Sequence, residues 1–123
     1  MKKFFLVFLV PLFFSCYERD RNCADFKTGK FKFEHTVNGK VETTMFERTE
    51  DFEIETYNGK TDTSSVRWTN DCEYILKKIN PKNMEEQKAV AMKILSTTKD
   101  SYIFEFNIVG SAAKQKGTVT KLD

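Results

Sequence analysis

The sequence predicts an all-β domain of about eight strands in an antiparallel meander, closed into a barrel, with one short helix near 83–89. Three observations carry this. From Lys30 onward apolar and polar residues alternate with a period of two rather than 3.6. Two Asn-Gly dipeptides, at 38–39 and 58–59, sit between alternating runs and mark hairpins. No long Gly/Ser/Pro linker and no strand–helix–strand period interrupts these runs, so neighbours in sequence are expected to be neighbours in the sheet.

In the first strand Phe31, Phe33, His35 and Val37 alternate with Lys32, Glu34 and Thr36. Asn38-Gly39 makes a two-residue turn, and Lys40 to Phe46 returns. That turn sets Phe31 opposite Phe46 as a core pair and His35 opposite Glu42 as a polar pair on the same face. Phe52, Ile54 and Thr56 begin the third strand. At the second Asn-Gly a two-residue loop opposes Glu55 to Asp62 and turns Val66 and Trp68 away from the Phe52–Ile54 face. A three-residue loop, Tyr57-Asn58-Gly59 with Gly59 left-handed, avoids both faults and is expected, giving strands near 51–57 and 60–69 with Ser64, Val66 and Trp68 on the Phe52 face. On that reading Glu53 and Glu55 form a solvated face. The acids Glu50, Asp51, Glu53 and Glu55 also lack the spacing of a calcium loop.

Cys72 to Ile79 is β-rich, and Asn80-Pro81 ends it because proline cannot donate to a central ladder. Asn83, with Glu86 three residues on, predicts the helix start. Met92 to Leu95 resumes strand character, and Lys99-Asp100 turns the chain. Tyr102, Phe104, Phe106 and Ile108 alternate with Glu105 and Asn107. Small and polar residues from Gly110 to Lys114 make a loop, and Lys116 to Leu122 is the last strand. Closure removes the edges of such a meander. Eight strands leave an interior that side chains just fill, or that holds one small ligand. An open twisted sheet packed on the helix is the other architecture.

Ahead of this domain, Met1-Lys2-Lys3 precedes an almost wholly apolar run, Phe4 to Phe14, and then Ser15-Cys16. A basic start, a short apolar stretch and a small residue before the cut form an export leader. The run is shorter than the ~20 residues needed to span a bilayer. The organisation expected is a leader at 1–15, a tether at 16–22 and a single barrel domain at 23–123. Without the leader the two lysines are lost, basic and acidic residues balance at 18 each, and the net charge of +2 falls to zero. A neutral domain offers no electrostatic footprint for nucleic acid.

Ser15-Cys16 resembles the cleavage box of bacterial lipoproteins, which implies cleavage before Cys16 and lipid attachment to it. Phe13 and Phe14 replace the Leu and small residue preferred there, as in the looser boxes of Bacteroidota lipoproteins. Ordinary secretory cleavage nearby is the alternative. The resemblance implies an envelope protein anchored to the outer membrane. Glu18 and Asp20 alternate with Arg19 and Arg21 after the cysteine, so the periplasmic or surface face stays open.

With Cys16 taken by lipid, Cys23 and Cys72 remain, and an oxidising compartment favours their disulfide. The bridge closes a loop of about 50 residues and contributes roughly 4 kcal/mol at most. Two cysteines and one histidine at wide spacing do not make a zinc site, and no cofactor or metal is expected. His35 is the only histidine, so any nucleophile–base pair built on histidine rests on it, and its mid-strand position points to a structural role. No catalytic residue is assigned, and an enzyme is the least favoured class.

Gly29-Lys30-Phe31 at the approach to the first strand, the meander and the tethered N-terminus resemble the calycin, or lipocalin-like, group of small barrels over residues 23–122. Phe31 stands where that group has Trp, and its C-terminal Arg has no match, so the similarity is one of architecture. Cys23-x5-Gly29-x-Phe31, Trp68 to Tyr74 and Lys116 to Lys121 further resemble a set of small Bacteroidota lipoproteins of unassigned role. Chains of that set sometimes carry a topoisomerase IV label. This chain has no P-loop, no basic groove and no room for a cleavage domain, and its leader directs it away from DNA. The expectation is a lipid-anchored envelope protein that takes a small apolar or amphipathic ligand in its barrel. The interior aromatics Phe31, Phe33, Trp68, Tyr102, Phe104 and Phe106 are the candidate contacts. The alternative is a packed-core protein acting in protein interaction or envelope assembly without a ligand. A cavity below about 100 Å³ would favour that alternative, since ligand pockets run about 300–1,000 Å³.

Overall fold

The computed structural model describes residues 21–123. The expected leader at 1–15, the lipid position Cys16 and most of the tether lie outside the described residues. A 3-10 turn, Cys23–Phe26, precedes eight strands. These are β1 (Gly29–Val37), β2 (Lys40–Arg48), β3 (Phe52–Tyr57), β4 (Lys60–Asn70), β5 (Glu73–Lys78), β6 (Val90–Thr97), β7 (Ser101–Ile108) and β8 (Gln115–Lys121). Each strand pairs antiparallel with the next, and β8 pairs with β1, so the meander closes into a barrel in sequence order. The fold class is the expected one.

Asn38 and Gly39 both take positive φ, 53° and 80°, the I′ hairpin geometry whose twist matches its strands. The first register is as read: Phe31 faces Phe46, with ring centroids 5.1 Å apart, and His35 faces Glu42.

The second hairpin departs from expectation. Asn58 and Gly59 repeat the two-residue I′ geometry, and Tyr57 pairs with Lys60. Glu55 therefore faces Asp62, and Glu53 faces Ser64. The whole of β3 is turned over: Glu53 is buried, whereas Phe52 is 44% exposed. Two ion pairs offset part of the cost of this register. Lys78, on β5, forms an ion pair with Asp62. Arg48, on the neighbouring β2, pairs directly with Glu53. The intrinsic fit of Asn-Gly to a tight hairpin thus prevails: Arg48 pairs with Glu53 and Lys78 with Asp62, while Glu55 is left without a direct partner among the described residues.

The predicted helix at 83–89 is also corrected. Its cap forms as read: Asn83 Oδ1 accepts from the Glu86 amide at 2.8 Å, and Glu86 Oε1 accepts from the Lys82 amide at 3.0 Å. Only two successive i→i+3 bonds follow, from Gln87 to Met84 and from Lys88 to Glu85. The segment is too short to offset the cost of nucleation. Met84 is exposed and buries no apolar face, and Ala89 O is already held by the Val109 amide at 2.9 Å. The one helical element among the described residues is the 3-10 turn.

That turn plugs one end of the barrel. Phe26 is fully buried against Tyr102, and the Cys23–Cys72 disulfide, with Cα atoms 5.4 Å apart, ties the plug to the β4–β5 connection. Lys121 at the end of β8 donates to Asp25 O at 2.7 Å, and Arg21 donates to Ile94 O at 3.2 Å. Phe31, Phe46, Ile94, Tyr102, Phe104 and Val119 complete the core above the plug.

Candidate ligand cavity

Alternation brings one face of every strand into the barrel, and that interior has two halves of different chemistry. The lower half is built around Arg48, which is 1% exposed. It reaches the interior because β2 holds it on the same face as Phe46. Arg48 Nη1 donates to Phe26 O at 2.6 Å, and Nη2 donates to the phenol oxygens of Tyr74 at 2.7 Å and Tyr102 at 2.8 Å. Nε donates to Glu53 Oε1 at 3.0 Å. The guanidinium lies 4.9 Å from the Phe31 ring centroid and 4.7 Å from that of Tyr74. Burial works to lower the Arg48 pKa, but Tyr74, Tyr102 and Glu53 outweigh it, and the group is held above its ordinary value as a permanent cation. Burial pushes both phenols upward against the pull of Arg48, which keeps them neutral. The same burial pushes the Glu53 carboxyl up, and Arg48 opposes it.

Above this floor the barrel is not filled. A cavity of about 370 Å³ runs from Arg48, Tyr74 and Tyr102 toward the end that carries the Asn-Gly hairpins and the 79–89 connection. One wall is apolar: Phe33 from β1, Val90 and Met92 from β6, Phe104, Phe106 and Ile108 from β7, and Val119 from β8. The facing wall carries the polar groups, Thr44 from β2, Glu53 and Glu55 from β3, Ser64 from β4 and Lys78 from β5, with Phe46 and Leu76 among them. Glu85, Glu86 and Lys88 from the 79–89 connection line the outer part, where Glu85 and Lys88 are solvent-exposed.

Gly117 on β8 shapes the apolar wall. A Cβ there would lie 2.8 Å from ring atoms of both Phe104 and Phe33. Only glycine lets these two rings meet edge to face, 5.6 Å apart, across β8.

The six candidate contacts divide. Phe33, Tyr102, Phe104 and Phe106 line the cavity. Phe31 and Trp68 do not. Phe31 is fully buried under Arg48, and Trp68 packs on Tyr74 at 4.4 Å beside the plug. His35 stacks on Phe33 at 5.0 Å, and Tyr57 beyond it donates to Glu42 at 3.3 Å.

Sequence reasoning missed Arg48, Glu53 and Glu55. A signal was present: with Phe31 facing Phe46, parity places Arg48 inside β2, and a cation inside one strand calls for acids inside its neighbour. Comparison with protein-family models and with curated proteins gives no match to this chain.

Proposed function

We propose that this chain is an exported, lipid-anchored envelope protein that binds one small amphipathic molecule in its barrel. The observation that carries the binding reading is the cavity. At about 370 Å³ it lies within the range of small-molecule sites and well above the void expected of a packed core. Its floor is preorganised, because every partner of Arg48 is fixed by the barrel or the plug. Its aromatic wall supplies apolar contact area, and its opposite wall supplies polar groups that orient a ligand. The same cavity weighs against the packed-core alternative.

The lipid reading rests on Ser15-Cys16 and the leader. Cys16 precedes Cys23 by seven residues, a span of at most about 24 Å when fully extended. Cys23 belongs to the plugged end, so an anchor at Cys16 would keep that end toward the membrane and turn the cavity mouth to the aqueous side. A ligand would then arrive from solution.

Titration with the neutral fluorescent probe N-phenyl-1-naphthylamine tests the binding reading. Saturable one-to-one binding with a blue-shifted emission is expected, weakened by Gly117→Ala, which drives the Phe33 and Phe104 rings into the cavity. A signal that rises linearly and is indifferent to Gly117→Ala would overturn it. For the anchor, Cys16→Ser should abolish incorporation of a labelled fatty acid and release the protein from membranes. Retention of the label would refute Cys16 as its site.

A further inference from the structure

The cavity's charges are unevenly matched. At the floor Arg48 is committed to Glu53. On the 79–89 connection Lys88 is paired with Glu85 at 3.2 Å. Lys78 is shared between Asp62 and Glu86. Glu55 also lines the cavity, and among the described residues it has neither a hydrogen-bond donor nor an ion-pair partner. The polar wall therefore carries a surplus carboxylate, while each cation lining the cavity already has an acid.

The arrangement is costly to the fold. Glu55 is half-buried, with Glu53 two residues away on the same inward face and Asp62 opposite it on β4. Burial first, then Glu53 and Asp62, push its pKa up to about 6, against the opposing pull of Lys78 from β5. From β2 it is faced by Phe46, which offers no charge. A half-buried acid without a direct partner inside a cavity is a place where a ligand can supply the missing counter-charge.

Resting on the reading of the cavity as a binding site, we propose that its ligand class is a small amphipathic amine. The ammonium sits against Glu55, and the apolar body lies along Phe33, Phe104 and Phe106. An anionic amphiphile such as a fatty acid meets the surplus carboxylate and finds no unpaired cation among the lining residues. A neutral apolar molecule can fill the aromatic wall, but it leaves Glu55 desolvated without a partner. The ammonium alone supplies both the donor and the charge.

Three ligands with the same chain separate these cases: decylamine, decan-1-ol and decanoate, each displacing N-phenyl-1-naphthylamine from the full-length protein near neutral pH. The ammonium should bind about tenfold more tightly than the alcohol, as expected when a charge-assisted hydrogen bond replaces a neutral one, with decanoate the weakest. In Glu55→Gln the ratio of ammonium to alcohol affinity should fall to about one. Circular dichroism of the variant checks that the barrel is intact. Decanoate binding as tightly as the ammonium, or a preference unchanged in Glu55→Gln, overturns the amine assignment while leaving the cavity reading in place. Failure of the probe to bind wild-type protein saturably overturns both.

Discussion

Replacing Arg48 with Met keeps most of the side chain's volume and removes only the guanidinium. Glu53 then loses its ion-pair partner inside the barrel, and Phe26 O loses one of the contacts that hold the plug. Tyr74 and Tyr102 lose the shared donor between their hydroxyls. Removing one partner of a buried ion pair typically costs about 3–5 kcal/mol. A domain of this size has roughly 5–15 kcal/mol in all, so the variant should be marginal. The second arm of the cycle is Glu53→Gln, which removes the stranded charge and leaves an amide of nearly the same shape. The double variant should be more stable than Arg48→Met alone by about 2 kcal/mol, because the uncompensated carboxylate is gone. Urea unfolding followed by the fluorescence of Trp68, which packs on Tyr74 and lies 6.0 Å from the guanidinium, reads all four corners. A cost of Arg48→Met below about 1 kcal/mol, the scale of a surface pair, or simple additivity of the two substitutions would rule out a coupled buried ion pair at the floor.

Other consequences follow from the same geometry. Glu55 has a folded pKa of about 6 against an ordinary 4.5, so it favours the fold fully below about pH 4.5 and loses that contribution as pH rises through 6. Glu55→Gln should therefore stabilise the protein by roughly 1–2 kcal/mol at neutral pH and by little near pH 4, measured by urea unfolding at both values. Replacing Cys23 and Cys72 together with Ser should cost about 2–4 kcal/mol, since the bridge spans 49 residues and fixes the plug; an unchanged urea midpoint would contradict this. Gly117→Ala should lower stability by about 1–3 kcal/mol as well as weakening probe binding, because two packed rings must move; a variant as stable as wild type would show that the rings yield freely.

Much of the fold is legible in the residues themselves. The period of two and the paired Asn-Gly turns specify strands in order, and Phe31 opposite Phe46 follows from loop length alone. The disulfide follows from counting cysteines, and its partners do meet. The face of β3 is not legible from that strand alone. Phe52-Glu53-Ile54-Glu55 reads as apolar inside and acidic outside, and the structure shows the reverse, because the two-residue Asn58-Gly59 turn sets the strand's parity and Arg48 on β2 holds Glu53 inside. That strand's own alternation carries no information about a cation on its neighbour. The same limit applies to Asn83–Glu86, where the cap forms but the sheet claims Ala89 before a helix can grow. The apolar half of the cavity was accessible from the alternation of Phe104 and Phe106, while its polar half was hidden by the inverted strand.

The proposed binding of a small molecule in the barrel is open to a direct test. Native mass spectrometry of the protein extracted from its own membranes without denaturation, with and without added decylamine, tests it most directly. Expected is a one-to-one complex, either with a carried small molecule or with decylamine, that dissociates on denaturation and is weakened when the cavity is narrowed in Gly117→Ala. A bare protein that takes up no decylamine, with the Cys23–Cys72 bridge intact in the same spectrum, would contradict it.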